Sequence, residues 1–109
     1  MQTPVQVVFH GMDHSDAVEA NIAKEIEKLE KIYGRITNCR VTVESPHRSH
    51  RKGSRFDVGI HLALPGSSMD VRAGNNPKHS DIHIAVSDAF GSLARKLKEH
   101  HDRQNDHRG

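Results

Sequence analysis

Ten histidines in 109 residues are the first chemical suspicion, because imidazole is a common metal ligand. His47 and His50 stand three residues apart, His79 and His83 four apart, and His100 and His101 adjacent. On a helix, two histidines four residues apart can share a metal ion. His79, however, precedes the expected start of a helix, and the chain has no H-E-x-x-H motif. The single cysteine, Cys39, lies in an alternating apolar segment far from each pair, so the ligand set stays incomplete. These histidines read as solvated side chains, and no metal or other cofactor is expected.

Nucleophilic catalysis finds no better footing. Cys39 falls on the apolar side of its segment and reads as a small core residue. No G-x-S-x-G, phosphate-loop or dinucleotide-binding glycine pattern occurs, and the carboxylates are scattered over turns and helix faces. The expectation is a binding module, not an enzyme, with no small-molecule substrate.

Cations are the third kind of chemistry. The stretch "PHRSHRKGSR" holds Arg48, Arg51, Lys52 and Arg55 and no acid. Lys28, Lys31 and Arg35 close one helical pattern, and Arg95, Lys96 and Lys98 enrich the end of another. Residues 1–34 hold three lysines against six acids, a net of −3, whereas residues 35–109 hold thirteen cations against eight acids, a net of +5. Several such side chains facing phosphates would bind nucleic acid in a salt-dependent way. Aromatics are only 4% of the chain, so contacts would follow backbone and shape more than base identity, as with structured RNA.

The elements that must position these groups are legible from periodicity. Residues 5–10, "VQVVFH", read as a strand ended by Gly11. Ser15 or Asp16 can cap a helix from Ala17 to Tyr33, whose stripe is Val18, Ile22, Ile26, Leu29 and Tyr33, with Gly34 as its C-cap. A strand follows over Asn38 to Glu44. Another spans "RFDVGIHLAL", with Phe56, Val58, Ile60, Leu62 and Leu64 on one side. Pro65-Gly66 turns the chain into a short strand near Met69 to Ala73. Ser80 or Asp81 then caps a last helix from Ile82 to His100 or His101, with Ile82, Val86, Phe90, Leu93 and Leu97 inward.

The order is β-α-β-β-β-α. Half-alternating strands and singly striped helices predict an α+β two-layer sandwich, a four-stranded mixed sheet with both helices on one face. The first two strands are expected parallel and the rest antiparallel. One domain over residues 1–103 is expected, with 104–109 a flexible polar tail. The basic stretch 46–55 is then a long loop between the second and third strands. No segment is apolar enough to span a bilayer and the one cysteine has no internal partner, so a cytoplasmic protein without a membrane partner is expected.

The runs "IEKLEKIYGRI" (Ile26 to Ile36) and "DIHIAVSDAFGSLARKL" (Asp81 to Leu97), in this element order, resemble the ribosome hibernation-promoting factor family, also called ribosome-associated inhibitors or sigma-54 modulation proteins. The resemblance covers about residues 5–103. It implies a fold like that of double-stranded-RNA-binding domains. It also implies binding to 16S rRNA in the mRNA and tRNA channel of the small ribosomal subunit, which blocks translation under stress. By motif it assigns rRNA contact to Lys28, Lys31, Arg95 and Lys96; Arg35, Lys98, Arg48, Arg51, Lys52 and Arg55 join them by charge and position. The short form is expected, without the extra domain by which long members pair ribosomes. His83 stands where the family places an aromatic, and Ser87-Asp88 and Gly91-Ser92 interrupt the basic pattern of the last helix. Two other readings stay open: a general structured-RNA-binding stress protein, and a histidine-dependent metal-binding protein. Self-association is undetermined.

Overall fold

A computed structural model describes residues 3–45, 56–74 and 81–107, with side chains through Arg103. The loop carrying Arg48, Arg51, Lys52 and Arg55, with His47 and His50, lies outside the described residues, as does His79.

The elements are β1 (Val5–His10), α1 (Asp16–Ile32), β2 (Asn38–Glu44), β3 (Asp57–Leu64), β4 (Ser67–Ala73) and α2 (Ile82–His107). They form one four-stranded sheet in the order β1-β2-β3-β4. β1 and β2 are parallel, joined through α1, and the other two pairings are antiparallel. This is the mixed sheet that the alternation predicts.

Strict alternation sets the two sheet faces. Cys39, Val41 and Val43 of β2 and Val58, Ile60, Leu62 and Leu64 of β3 are buried, while their neighbours are half-buried or exposed. The helices cover that apolar face. Val18, Ile22, Ile26 and Leu29 of α1 join Ala85, Val86, Ala89, Phe90, Leu93 and Leu97 of α2 and the strand residues in one core. Burying an aliphatic side chain of this size contributes about 1.5–3 kcal/mol, so this core carries the fold. β1 is an edge strand, and its Val5, Val7 and Phe9 only lean on the core.

Local chemistry decides the ends of the elements. Ser15, in extended backbone, caps α1 by accepting the Val18 N–H on its Oγ at 3.2 Å. Gly34 does not cap the other end. α1 stops where Tyr33 turns extended, its N–H still donating to the Leu29 carbonyl, and Gly34 has no positive φ. Pro65-Gly66 makes a two-residue turn, with Gly66 at φ 74°, so Leu64 already pairs with Ser67. β4 therefore starts two residues before the expected Met69, its polar start Ser67-Ser68 hidden from an apolar pattern. Before α2, the Asp81 carboxylate accepts the His83 N–H at 2.9 Å.

α2 runs to His107, past the expected end at His100 or His101 and through residues read as a polar tail. Nothing between them breaks a helix: there is no Gly or Pro before Gly109, and Lys98 pairs with Asp102 one turn on, at 3.2 Å.

Candidate nucleic-acid interface

The two helices run in the same direction. His83, in the first turn of α2, meets Asn21 of α1 at 3.1 Å, whereas Tyr33, at the far end of α1, meets the rings of His100 and His101 of α2. Topology requires this arrangement, because α1 and α2 each return from a strand of the same direction, β1 and β4. The element order held the signal, and sequence reasoning drew only the strand directions from it. The consequence is that the cations closing α1 and those late in α2 lie toward one end of the molecule, on the layer away from the sheet.

Their individual settings differ. Lys31 and Arg35 are exposed, with no ion-pair partner among the described residues. Lys28 stands 3.5 Å from Glu25, and Lys98 is tied to Asp102. Both lysines are largely exposed, although Glu25 is half-buried, so a phosphate can draw them away at small cost. Lys98 lies three residues before His101, on the flank of α2 turned toward α1. Arg95 and Lys96 occupy the other flank. Lys96 crosses to β4 and donates from Nζ to the Asp70 carbonyl at 3.1 Å, and Arg95 donates to Ser92 Oγ at 3.3 Å. α2 thus splits its three cations between two sides.

Sequence reasoning missed Arg72, on the alternate positions of β4 that face outward. Asp57 accepts from its Nε and Nη2 at 2.6–3.1 Å, and this hydrogen bond, with the charge behind it, raises the guanidinium above its ordinary value. Arg72 borders two concavities. One, about 390 Å³, lies on the open sheet face among Arg40, Thr42, Gly59, His61 and Asp70, where His61 and Asp70 also pair at 2.8 Å. The other, about 370 Å³, lies between the end of β4 and the middle of α2. The sheet face is therefore internally neutralised to a degree that the basic end of the helices is not.

Of the histidine pairs of the metal reading, His83, His100 and His101 fall among the described residues. His83 is engaged by Asn21, and His100 and His101 set their rings edge-on to Tyr33. The described residues do contain one group with ligand-like spacing, His14, Asp16 and Glu19 at the start of α1, with His14 Nε2 2.7 Å from Asp16 and 3.6 Å from Glu19. It is exposed, and acids in a first turn are favoured there for the helix alone. The Cys39 thiol is buried and pushed up to about 12 by that burial, as befits a core residue. No helix among the described residues is long and apolar enough to cross a membrane.

Comparison with known proteins bears on this geometry. Residues 5–105 match the family described as "Sigma 54 modulation protein / S30EA ribosomal protein". A ribosome hibernation promoting factor of Azotobacter vinelandii is 28% identical over 102 residues, covering 92% of this chain and 84% of that protein. The fold is also that of a ribosomal subunit interface protein from Coxiella burnetii. Its TM-score is 0.75 at 19% identity, over 92% of this chain and 99% of the other. The N-terminal domain of Thermus thermophilus Protein Y matches with a TM-score of 0.71 at 16% identity, covering 90% and 98% of the two chains.

Proposed function

This chain belongs to the sigma 54 modulation protein / S30EA ribosomal protein family, and from that membership we propose that it is a ribosome hibernation factor that binds the small subunit and stops translation sterically. The folded domain lies against 16S rRNA in the channel that mRNA and tRNA must enter. It acts in the cytoplasm and performs no catalytic step; occupancy is the whole mechanism.

The observation that supports this reading best is the parallel pairing of the helices, which brings Lys28, Lys31 and Arg35 to the same end as Arg95, Lys96 and Lys98. Six cations on one end suit a phosphate-lined passage. Six phosphate contacts would give log affinity against log salt a slope of about −4 to −5. Arg48, Arg51, Lys52 and Arg55 are proposed as a second rRNA contact, since the strand residues flanking them, Glu44 and Asp57, pair at the end of the sheet where the helices begin, and residues 1–103 are proposed as the binding domain.

Co-sedimentation with 30S subunits and 70S ribosomes over a salt series, with mRNA and tRNA as competitors, tests it. Saturable, salt-sensitive pelleting that the competitors abolish is the expected result. Pelleting that the competitors leave untouched would move the protein to another site on the ribosome. Failure to pellet at low salt, with binding to duplex RNA retained, would favour a general RNA-binding protein.

A further inference from the structure

Gly91 stands in the middle of α2, exposed to solvent, and apart from its chain neighbours and the adjacent backbone of its own helix no atom of the described residues lies within 4 Å of where its Cβ would be. The fold does not need a glycine there: nothing crowds the position, and φ is not in the left-handed region. A helix-interior glycine is nonetheless less stable than alanine, since it loses more backbone freedom on folding. The residue lines the 370 Å³ cleft together with Ser87, Asp88, Ser92 and Arg95 of α2 and Arg72, Ala73 and Gly74 at the end of β4. Side chains are small along its floor, and guanidinium groups stand on both banks.

We propose that this cleft seats one segment of RNA backbone, with Gly91 left bare so that the strand can lie directly on the helix. The inference rests on the ribosome reading above and adds a second contact, on the β4 flank of α2. The chemistry of the lining selects the ligand. Arg95 spends one Nη2 contact on Ser92 and keeps its other donors for a phosphate. Arg72 is held by Asp57 through Nε and Nη2, which fixes its plane beside the cleft and leaves Nη1 unengaged in that pair. Ser87 and Ser92 offer hydroxyls. Asp57 and Asp88 offset the two guanidinium charges, so charge alone does not draw a polyanion here. A ribose–phosphate repeat satisfies both signs at once: its phosphate accepts from arginine and serine, and its 2′-hydroxyl donates to a carboxylate. A carboxylate accepts several hydrogen bonds, so an interaction already made by Asp88 does not close that route.

Gly91→Ala and Gly91→Leu separate this from a structural role, because neither changes charge and both favour the helix. Each variant is expected to melt about 3–5 °C above the parent protein. Affinity for 30S subunits, and for a duplex RNA, is expected to fall about tenfold in the alanine variant and further in the leucine variant. The salt slope should lose about one unit, as when one phosphate contact goes. A duplex DNA of the same sequence should bind the parent protein more weakly and discriminate less between parent and variants.

Variants that bind as the parent does would overturn the cleft while leaving the ribosome reading standing. Variants that melt lower than the parent would also overturn it, since the fold would then need the glycine. A parent protein that binds duplex RNA but not 30S subunits would overturn the ribosome reading alone, with the cleft judged on the duplex. Binding to neither would overturn both.

Discussion

The Nδ1 of His83 and the Oδ1 of Asn21 stand 3.1 Å apart, joining the early turns of two helices across 62 positions of sequence. With Oδ1 as acceptor, the imidazole donates from Nδ1. The contact lies on the outer layer and holds the helices side by side at the end opposite their cations.

Asn21→Ala or His83→Ala is expected to cost about 0.5–1 kcal/mol, the ordinary net value of such a hydrogen bond. The double variant should cost less than the sum of the singles, because each removes the same contact. Urea denaturation of the four proteins of the cycle measures it. Strictly additive losses would mean the contact contributes nothing in solution.

Ile26 and Ile32 share a helix but not a fate. Ile26 is fully buried, whereas Ile32 is 55% exposed. Ile26→Ala should destabilise by about 2–5 kcal/mol through lost burial and the cavity left behind. Ile32→Ala should change stability by about 0.5 kcal/mol or less. Comparison of the denaturation midpoints checks both, and equal effects would contradict the packing described.

Lys31 and Arg35 meet no ion-pair partner among the described residues, whereas Lys98 holds Asp102. Replacing Lys31 or Arg35 by alanine should therefore reduce the salt slope of 30S binding by about one unit each. Lys98→Ala should do less, since part of its charge is already spent within the molecule. Filter binding or sedimentation at several salt concentrations gives the slopes. An unchanged slope for both Lys31→Ala and Arg35→Ala would remove this end from the interface.

The Cys39 thiol, pushed up to about 12 by burial, stays neutral in the folded protein at pH values that ionise it in the unfolded chain. The folded state then holds the proton more tightly. Stability from this source is complete below pH about 9 and is lost as pH rises toward about 12. At neutral pH a thiol reagent should label Cys39 only as fast as the protein opens, and urea should accelerate labelling in step with unfolding. Immediate labelling of the native protein would contradict its burial.

Much of this architecture was legible from local patterns, for reasons that particular residues make plain. The stripe through Val18, Ile22, Ile26 and Leu29 and the alternation through Val58, Ile60, Leu62 and Leu64 are decided by which side of an element meets water. Sequence shows that directly. Side chains that meet across strands or between helices are a different matter. Arg72 finds Asp57 fifteen positions away on the neighbouring strand, and Tyr33 finds His100 and His101 only once both helices are packed. No spacing rule announces such encounters. Gly34 looked like a helix stop because glycine so often is one, but Tyr33 left the helix first. Gly91 read as a weak spot in a basic pattern, and only the open space around it shows that the fold itself makes no demand for a glycine.

The helices' common direction also sorts charge. Ser15 and Asp81 open α1 and α2 at one end, so Asp13, Asp16, Glu19 and Asp81 gather there, while at the other Lys28, Lys31, Arg35, Arg95, Lys96 and Lys98 outnumber Glu27, Glu30, Glu99 and Asp102. The helix layer therefore carries a charge moment along its axes, and an electric field exerts a torque on it before any contact forms. Near a polyanionic surface this layer favours approach with its cationic end forward, whereas the cations between Ser45 and Phe56, joined to the sheet at the opposite end, work against that alignment. Salt would slow association by loosening the alignment as well as by weakening the attraction.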